Sequence, residues 1–113
     1  MASLPILRAR LARMRIEVDV QQAFLEDVAD KVDNSDPGSL LAVLESKAAA
    51  TEAALSVCDL AMRVCGGAAF GRRLTVDRHF RDARAGSIMA PTTDLLHDFV
   101  AKHLLNMPLF GDP

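Results

Sequence analysis

Apolar residues fall at Leu4, Leu7, Leu11, Met14, Val18, Leu25, Val28 and Val32, in steps of three and four interrupted only at Gln21. Side chains so spaced share one face of an α-helix, and the pattern predicts a long amphipathic helix over residues 4–33. A second stripe, Ile16, Val20 and Phe24, widens that face. A face this wide calls for two packed neighbours. The polar segment Asp33–Ser39 then breaks the rhythm, with Asp36 suited to cap the next helix and Pro37 to its first turn. The steps resume at Leu41, Leu44, Ala48, Thr51, Leu55, Cys58, Met62 and Cys65. They predict a second helix over 37–66, antiparallel to the first because the connection is short.

The middle of this second helix carries Ala48, Ala49, Ala50, Ala53 and Ala54. Alanine raises helix propensity, and it also leaves the helix thin enough for another element to approach closely. Gly66 and Gly67 stop it. A third helix is predicted over 75–86, with Thr75 as its cap, Val76, Phe80 and Ala83 facing inward and the arginines outward. After a turn containing Pro91, Thr92 or Thr93 caps a last helix over 93–106 that carries Leu95, Leu96, Phe99, Val100, Leu104 and Leu105. No segment alternates with period two. The expected fold is all-α, an antiparallel up-and-down four-helix bundle within a single domain spanning 1–113.

Composition narrows the picture only a little. Half of the 113 residues are apolar and a quarter charged, with 13 basic against 15 acidic groups. This balance argues against disorder and against a nucleic-acid surface. Arginines and acids interrupt the apolar residues of the N-terminal helix, which therefore reads as neither a signal peptide nor a membrane span. Cys58 and Cys65 lie seven residues apart on one helix face, about 10 Å at the rise of an α-helix, beyond disulfide reach. Two such buried thiols suit a reducing, cytoplasmic setting. No zinc-ligand spacing occurs, and His97 and His103 share no face, so no metal site is expected.

The chemistry concentrates between Cys65 and Thr93. Glycine lacks a Cβ and tolerates positive φ, so the Gly66-Gly67 backbone can come close to another group. Arg72, Arg73, Arg78, Arg81 and Arg84 follow. A glycine turn beside arginines suits a phosphate, although a helix stop followed by solvated arginines has the same spelling. Asp77 with Arg81 and Arg78 with Asp82 are spaced to pair across one helical turn. Such exposed pairs contribute only about 0.3–0.5 kcal/mol each, too little to account for so dense a cluster. At least one arginine is expected to have a partner outside the helix, and Asp82 to hold an arginine or a backbone turn in place.

Gly66, Gly67, Phe70, Arg78 and Asp82 keep the spacing of a C-terminal signature in which a Q-x-x-G-G-x-G-aromatic segment leads to a basic residue and an aspartate. On these residues the chain resembles the C-terminal helical domain of the acyl-CoA dehydrogenase superfamily. The resemblance implies an oligomeric FAD-dependent oxidoreductase whose bundle forms subunit interface and reaches the FAD of a neighbouring chain. It places Arg63, Gly66 and Gly67 against the adenosine diphosphate part of FAD, Thr92 and Asp94 near flavin or its ribityl chain, and Arg78, Arg81, Asp82 and Arg84 at the interface. The helical N-terminal domain and the central β-domain of the family lie outside this sequence, so a partner chain supplying them is expected alongside self-association. FAD binding by this chain alone is not.

The departures carry as much weight. Arg63 stands for the family's glutamine and Ala69 for its third glycine. Ile88-Met89-Ala90-Pro91-Thr92 replaces I-Y-E-G-T, whose glutamate abstracts the α-proton of the acyl-CoA. Alanine has no basic atom, so no catalytic residue is assigned at position 90. Two readings accommodate the loss within the family: a carboxylate from the first helix, where Glu17, Asp19 and Glu26 are available, or the flavin-dependent monooxygenase branch, whose motif LTVDRHFRDARA resembles and which needs no such base. His79 within that motif is expected to be a surface or interface residue. A third alternative is a non-catalytic oligomerisation module.

Overall fold

The computed structural model describes residues 3–111. Four α-helices follow one another, α1 (Pro5–Asp33), α2 (Ser39–Cys65), α3 (Val76–Ile88) and α4 (Thr93–Leu104), with a 3-10 turn, Gly66–Phe70, between α2 and α3. No strand occurs among the described residues. Pro5 opens α1 where its missing N–H costs nothing, as expected of a first-turn proline. The chain reverses after Asp33 through Ser35, whose φ is 52°. Asp36 does not cap α2; its Oδ1 accepts from the Gly38 amide at 2.7 Å, closing a turn over two residues. That use of the carboxylate delays the helix to Ser39, two residues beyond the expected start.

α1 and α2 form an antiparallel hairpin. Ser56 Oγ donates to Glu17 Oε1 at 3.0 Å across it. α2 is central: α1 packs on it, α3 and α4 pack on it and on each other, and α1 reaches neither of them. The inward positions predicted for α2, from Leu41 to Cys65, all lose much of their exposure, as expected of a helix with neighbours on several sides. The small residues permit a close crossing. A Cβ on Gly86 of α3 would stand 3.1 Å from Thr51 Oγ1 of α2, closer than ordinary van der Waals contact.

α1 departs from expectation. Leu4, Leu11, Val18, Leu25 and Val32, five of the eight predicted seam residues, are 44–52% exposed, and Ile16 and Val20 of the second stripe are more so. The line that faces α2 runs instead through Leu7, Met14, Glu17, Gln21, Phe24 and Val28. The physical reason is the number of neighbours: one helix against one partner buries a single heptad-spaced line, whereas the breadth of the apolar face had implied two. The molecule is correspondingly drawn out, 53 × 26 × 22 Å with a radius of gyration of 17.2 Å. A compact chain of this length would have about 13 Å.

Candidate functional site

The residues of interest gather at the two ends of α2. At its C-terminus Gly66 adopts φ 61°, ψ −144°, a region that side chains disfavour, and its amide donates to Met62 O. A Cβ at Gly66 or Gly67 would meet no atom within 4 Å, so both glycines present open backbone. Ala69, fully buried, anchors the following 3-10 turn while Phe70 stands 75% exposed. A hollow of about 250 Å³ lies beside it, lined by Phe70, Gly71, Arg72, Leu74, Thr75, Asp77 and Arg78. Arg72, Arg73 and Arg78 are exposed, so an approaching anion would meet positive charge and unhindered backbone. Arg63 is already engaged, Nε donating to Asp59 Oδ2 at 2.9 Å.

α3 carries its arginines outward. Arg81 pairs with Asp77 at 3.6 Å, while the expected partnership of Arg78 with Asp82 does not form among the described residues. Nor does Asp82, exposed, hold a backbone turn. Water competes for both groups on an open face, where such a pair gains little. Thr75 occupies the cap position of α3 through its carbonyl, which accepts from the His79 amide at 3.1 Å, and its hydroxyl makes no cap bond. Cys58 Sγ lies 3.6 Å from His79 O, tying α2 to α3. Burial pushes this thiol above its ordinary pKa. Both cysteines are free, and no cluster of three or more metal-ligating residues occurs among the described residues.

The α3–α4 turn sits at the other end. Lys47 Nζ donates to Met89 O at 3.0 Å and to Pro91 O at 2.6 Å, bridging the two residues that flank Ala90. The Ala90–Pro91 peptide is cis. Thr92, not Thr93, caps α4, its Oγ1 accepting from the Leu95 amide at 3.3 Å. Asp94 lies exposed in the first turn, where its charge suits the helix dipole. Thr93 Oγ1 is buried without a partner. A polar hollow of about 480 Å³ joins Asp94, Thr93, His97, Arg84, Ser87 and Ile88 to Glu52 of α2.

Lys47 and Glu52 were not legible as site residues in sequence. The only sign of Lys47 was a lone cation within a run of small and apolar residues. From Lys47 to Gly66 is nineteen residues of helix, about 28 Å. One copy therefore does not bring Arg63, Gly66 and Gly67 together with Thr92 and Asp94. The carboxylates of α1 are likewise remote from Ala90: Glu17 sits at the level of Ser56, about 13 Å along α2 from Lys47. Asp19 is bonded to Arg15 at 2.9 Å and Glu26 to Gln22 at 3.0 Å, both on the exposed face.

Residues 1–105 match the family model described as acyl-CoA dehydrogenase, C-terminal domain. The chain is 30% identical over 105 residues to the bovine short-chain specific acyl-CoA dehydrogenase of mitochondria, covering 93% of this chain and 25% of that protein. It is 33% identical over 103 residues to 3-sulfinopropanoyl-CoA desulfinase of Paraburkholderia xenovorans, covering 91% and 26% respectively. To the L-prolyl-[peptidyl-carrier protein] dehydrogenase of Pseudomonas fluorescens it is 30% identical over 95 residues, covering 84% and 25%. The chain thus spans about a quarter of the length of these relatives.

Proposed function

The chain belongs to the acyl-CoA dehydrogenase family by its C-terminal domain, a family of FAD oxidoreductases, and from that premise we propose that it is the helical, cofactor-facing part of a larger flavoprotein assembly. Gly66 and Gly67, with the nearby arginines, lie against FAD phosphates. Thr92 and Asp94 approach the flavin end of a cofactor from the opposite end of α2. The separation of about 28 Å between these groups carries the proposal, because it divides the two sets between different cofactors, or between copies sharing one. Arg78, Arg81, Asp82 and Arg84, all exposed on α3, serve contact between chains in this reading.

FAD, when bound, supplies hydride or electron transfer. This chain's own residues have other tasks. The glycine backbone and Arg72 neutralise and seat an anion, Lys47 fixes the turn from both sides of Ala90, and the Thr92 hydroxyl sets where α4 begins. Ala90 neither takes nor gives a proton, so an α-proton base comes from elsewhere in the assembly or is not needed. The relatives' names span dehydrogenation and desulfination of thioesters, and the substrate here is accordingly proposed only as an acyl thioester.

The test is FAD titration of the chain mixed with a polypeptide carrying the remaining parts of a relative. Saturable flavin-fluorescence quenching that Gly66→Val and Arg72→Ala weaken at least tenfold, with the mixture still co-sedimenting, is the expected result. A stable mixture whose FAD affinity ignores both substitutions would overturn the proposal.

A further inference from the structure

The α1–α2 hairpin holds a hollow of about 360 Å³ midway along its length, apart from both ends of α2. Val18 and Leu25 of α1 and Ala50, Ala54 and Val57 of α2 form its walls, and no residue of α3 or α4 lines it. The alanines make the room, since a leucine at 50 or 54 would fill it. Val18 and Leu25 remain half-exposed there, apolar surface that an occupant would remove from water. The volume is that of a small-ligand site, enough for one ring with a short chain.

Its polar groups define the ligand. No charged side chain lines this hollow, whereas arginines and carboxylates line those at the two ends of α2. An ion placed here would lose water without gaining a counter-charge, so the occupant is neutral. Gln21, the residue that interrupts the apolar spacing of α1, contributes a carbonyl oxygen, Oε1, that is buried and accepts no hydrogen bond. The other polar groups are engaged elsewhere: Gln22 Nε2 donates to Glu26 Oε1 at 3.0 Å, and Cys58 Sγ lies 3.6 Å from His79 O. A buried acceptor without a donor is costly, a cost that leucine at position 21 would not carry. What the hollow lacks is a single O–H or N–H on an otherwise apolar molecule.

We infer that this hollow binds a small neutral molecule of the alkylphenol class, its hydroxyl donating to Gln21 Oε1 and its hydrocarbon part resting on Ala50, Ala54 and Val57. A plain hydrocarbon would leave Oε1 without a partner. A molecule with several hydroxyl groups would bury donors that find no acceptor of their own. One donor on an apolar body meets both conditions together. The site shares no residue with the groups proposed to meet FAD, and its occupant binds the chain with or without flavin.

Cys58 lines the hollow and Cys65 does not, so the two free thiols report its occupancy in the full chain. Maleimide labelling of each cysteine, followed by mass spectrometry, is measured with 4-ethylphenol and with 4-ethylanisole, the methyl ether that lacks the donor. The phenol is expected to slow labelling of Cys58 at least fivefold with Cys65 unchanged, and the ether to need at least a tenfold higher concentration for the same protection. Gln21→Leu should abolish that difference between phenol and ether without lowering the melting temperature. Ala54→Leu, which fills the hollow from an exposed position, should abolish protection by both. Equal protection by the two compounds in the unaltered chain would overturn the inference, as would Cys58 labelling that the phenol leaves unchanged up to its solubility limit. Protection of Cys58 that grows with protein concentration when no phenol is present would also overturn it, by placing a second copy over the hollow.

Discussion

α1 and α2 are nearly equal in length, 29 and 27 residues, and both carry apolar residues at helical spacing. They end in different circumstances. α2 is flanked by α1, α3 and α4 and buries Ala42, Ser46, Ala48, Thr51 and Leu60, whereas α1 has α2 alone and buries only Val28. The difference teaches that periodicity reports which residues want a neighbour, and not how many neighbours are present. Where the helices are matched by partners, pattern and burial coincide. Where α1 lacks a second partner, its apolar stripes remain on the surface.

The comparison is broken most severely by Leu96→Ala. Leu96, on α4, is fully buried, and its truncation leaves a cavity worth about 2–5 kcal/mol. Val28→Ala, at the α1–α2 junction, removes two methyl groups from a site that is 5% exposed, or about 1.6 kcal/mol of transfer free energy. Thermal or denaturant melts of the two variants should rank in that order. Equal losses would mean that the α1 hairpin is as firmly held as the α2–α4 side.

Gly66→Ala probes how the central helix ends. At φ 61°, ψ −144° an alanine is strained by about 1–3 kcal/mol although no neighbouring atom obstructs it. Gly67→Ala, which has the same free space without the positive φ, should be nearly neutral in the same melt. A similar loss at both positions would locate the requirement in packing, against the open geometry. Gly66 and Gly67 look alike in sequence, and only the dihedrals distinguish them.

Lys47→Met should cost about 1–3 kcal/mol, because it strips Met89 O and Pro91 O of the ammonium that bridges them. Amide exchange would show the loss confined to residues 88–93, with the α1–α2 hairpin unchanged. Uniform loss of protection would instead make Lys47 part of the general core. This residue also marks the limit of what the sequence discloses. The four helices, the stop at Gly66 and a threonine cap at 92 or 93 follow from local spacing and backbone chemistry, and so were readable. Lys47 bonds to residues more than forty positions away, a relation that no local rule encodes. The α1 seam failed for the same reason: heptad positions were visible, but the choice between the Leu7–Met14–Val28 line and the Leu11–Val18–Leu25 line depends on which side α2 occupies. Gln21 looked like the one interruption of the seam and Glu17 lay outside it, and both are inward members.

The smallest effect on stability discriminates the two helices best. Val18→Lys and Leu25→Lys lie on the uncovered stripe of α1, 49% and 44% exposed, and surface substitutions of this kind change stability by less than about 0.5 kcal/mol. On α2 the same replacement at Leu60, 7% exposed, would bury an unpaired ammonium and unfold the chain. If the α1 stripe is free in the isolated chain, both α1 variants melt with the wild type while any self-association seen in sedimentation declines, because an exposed apolar line is what adheres. If they melt early instead, α1 has a second neighbour in solution that its single line of contact with α2 does not reveal, and the asymmetry between the two helices belongs to the lone chain and not to its working state.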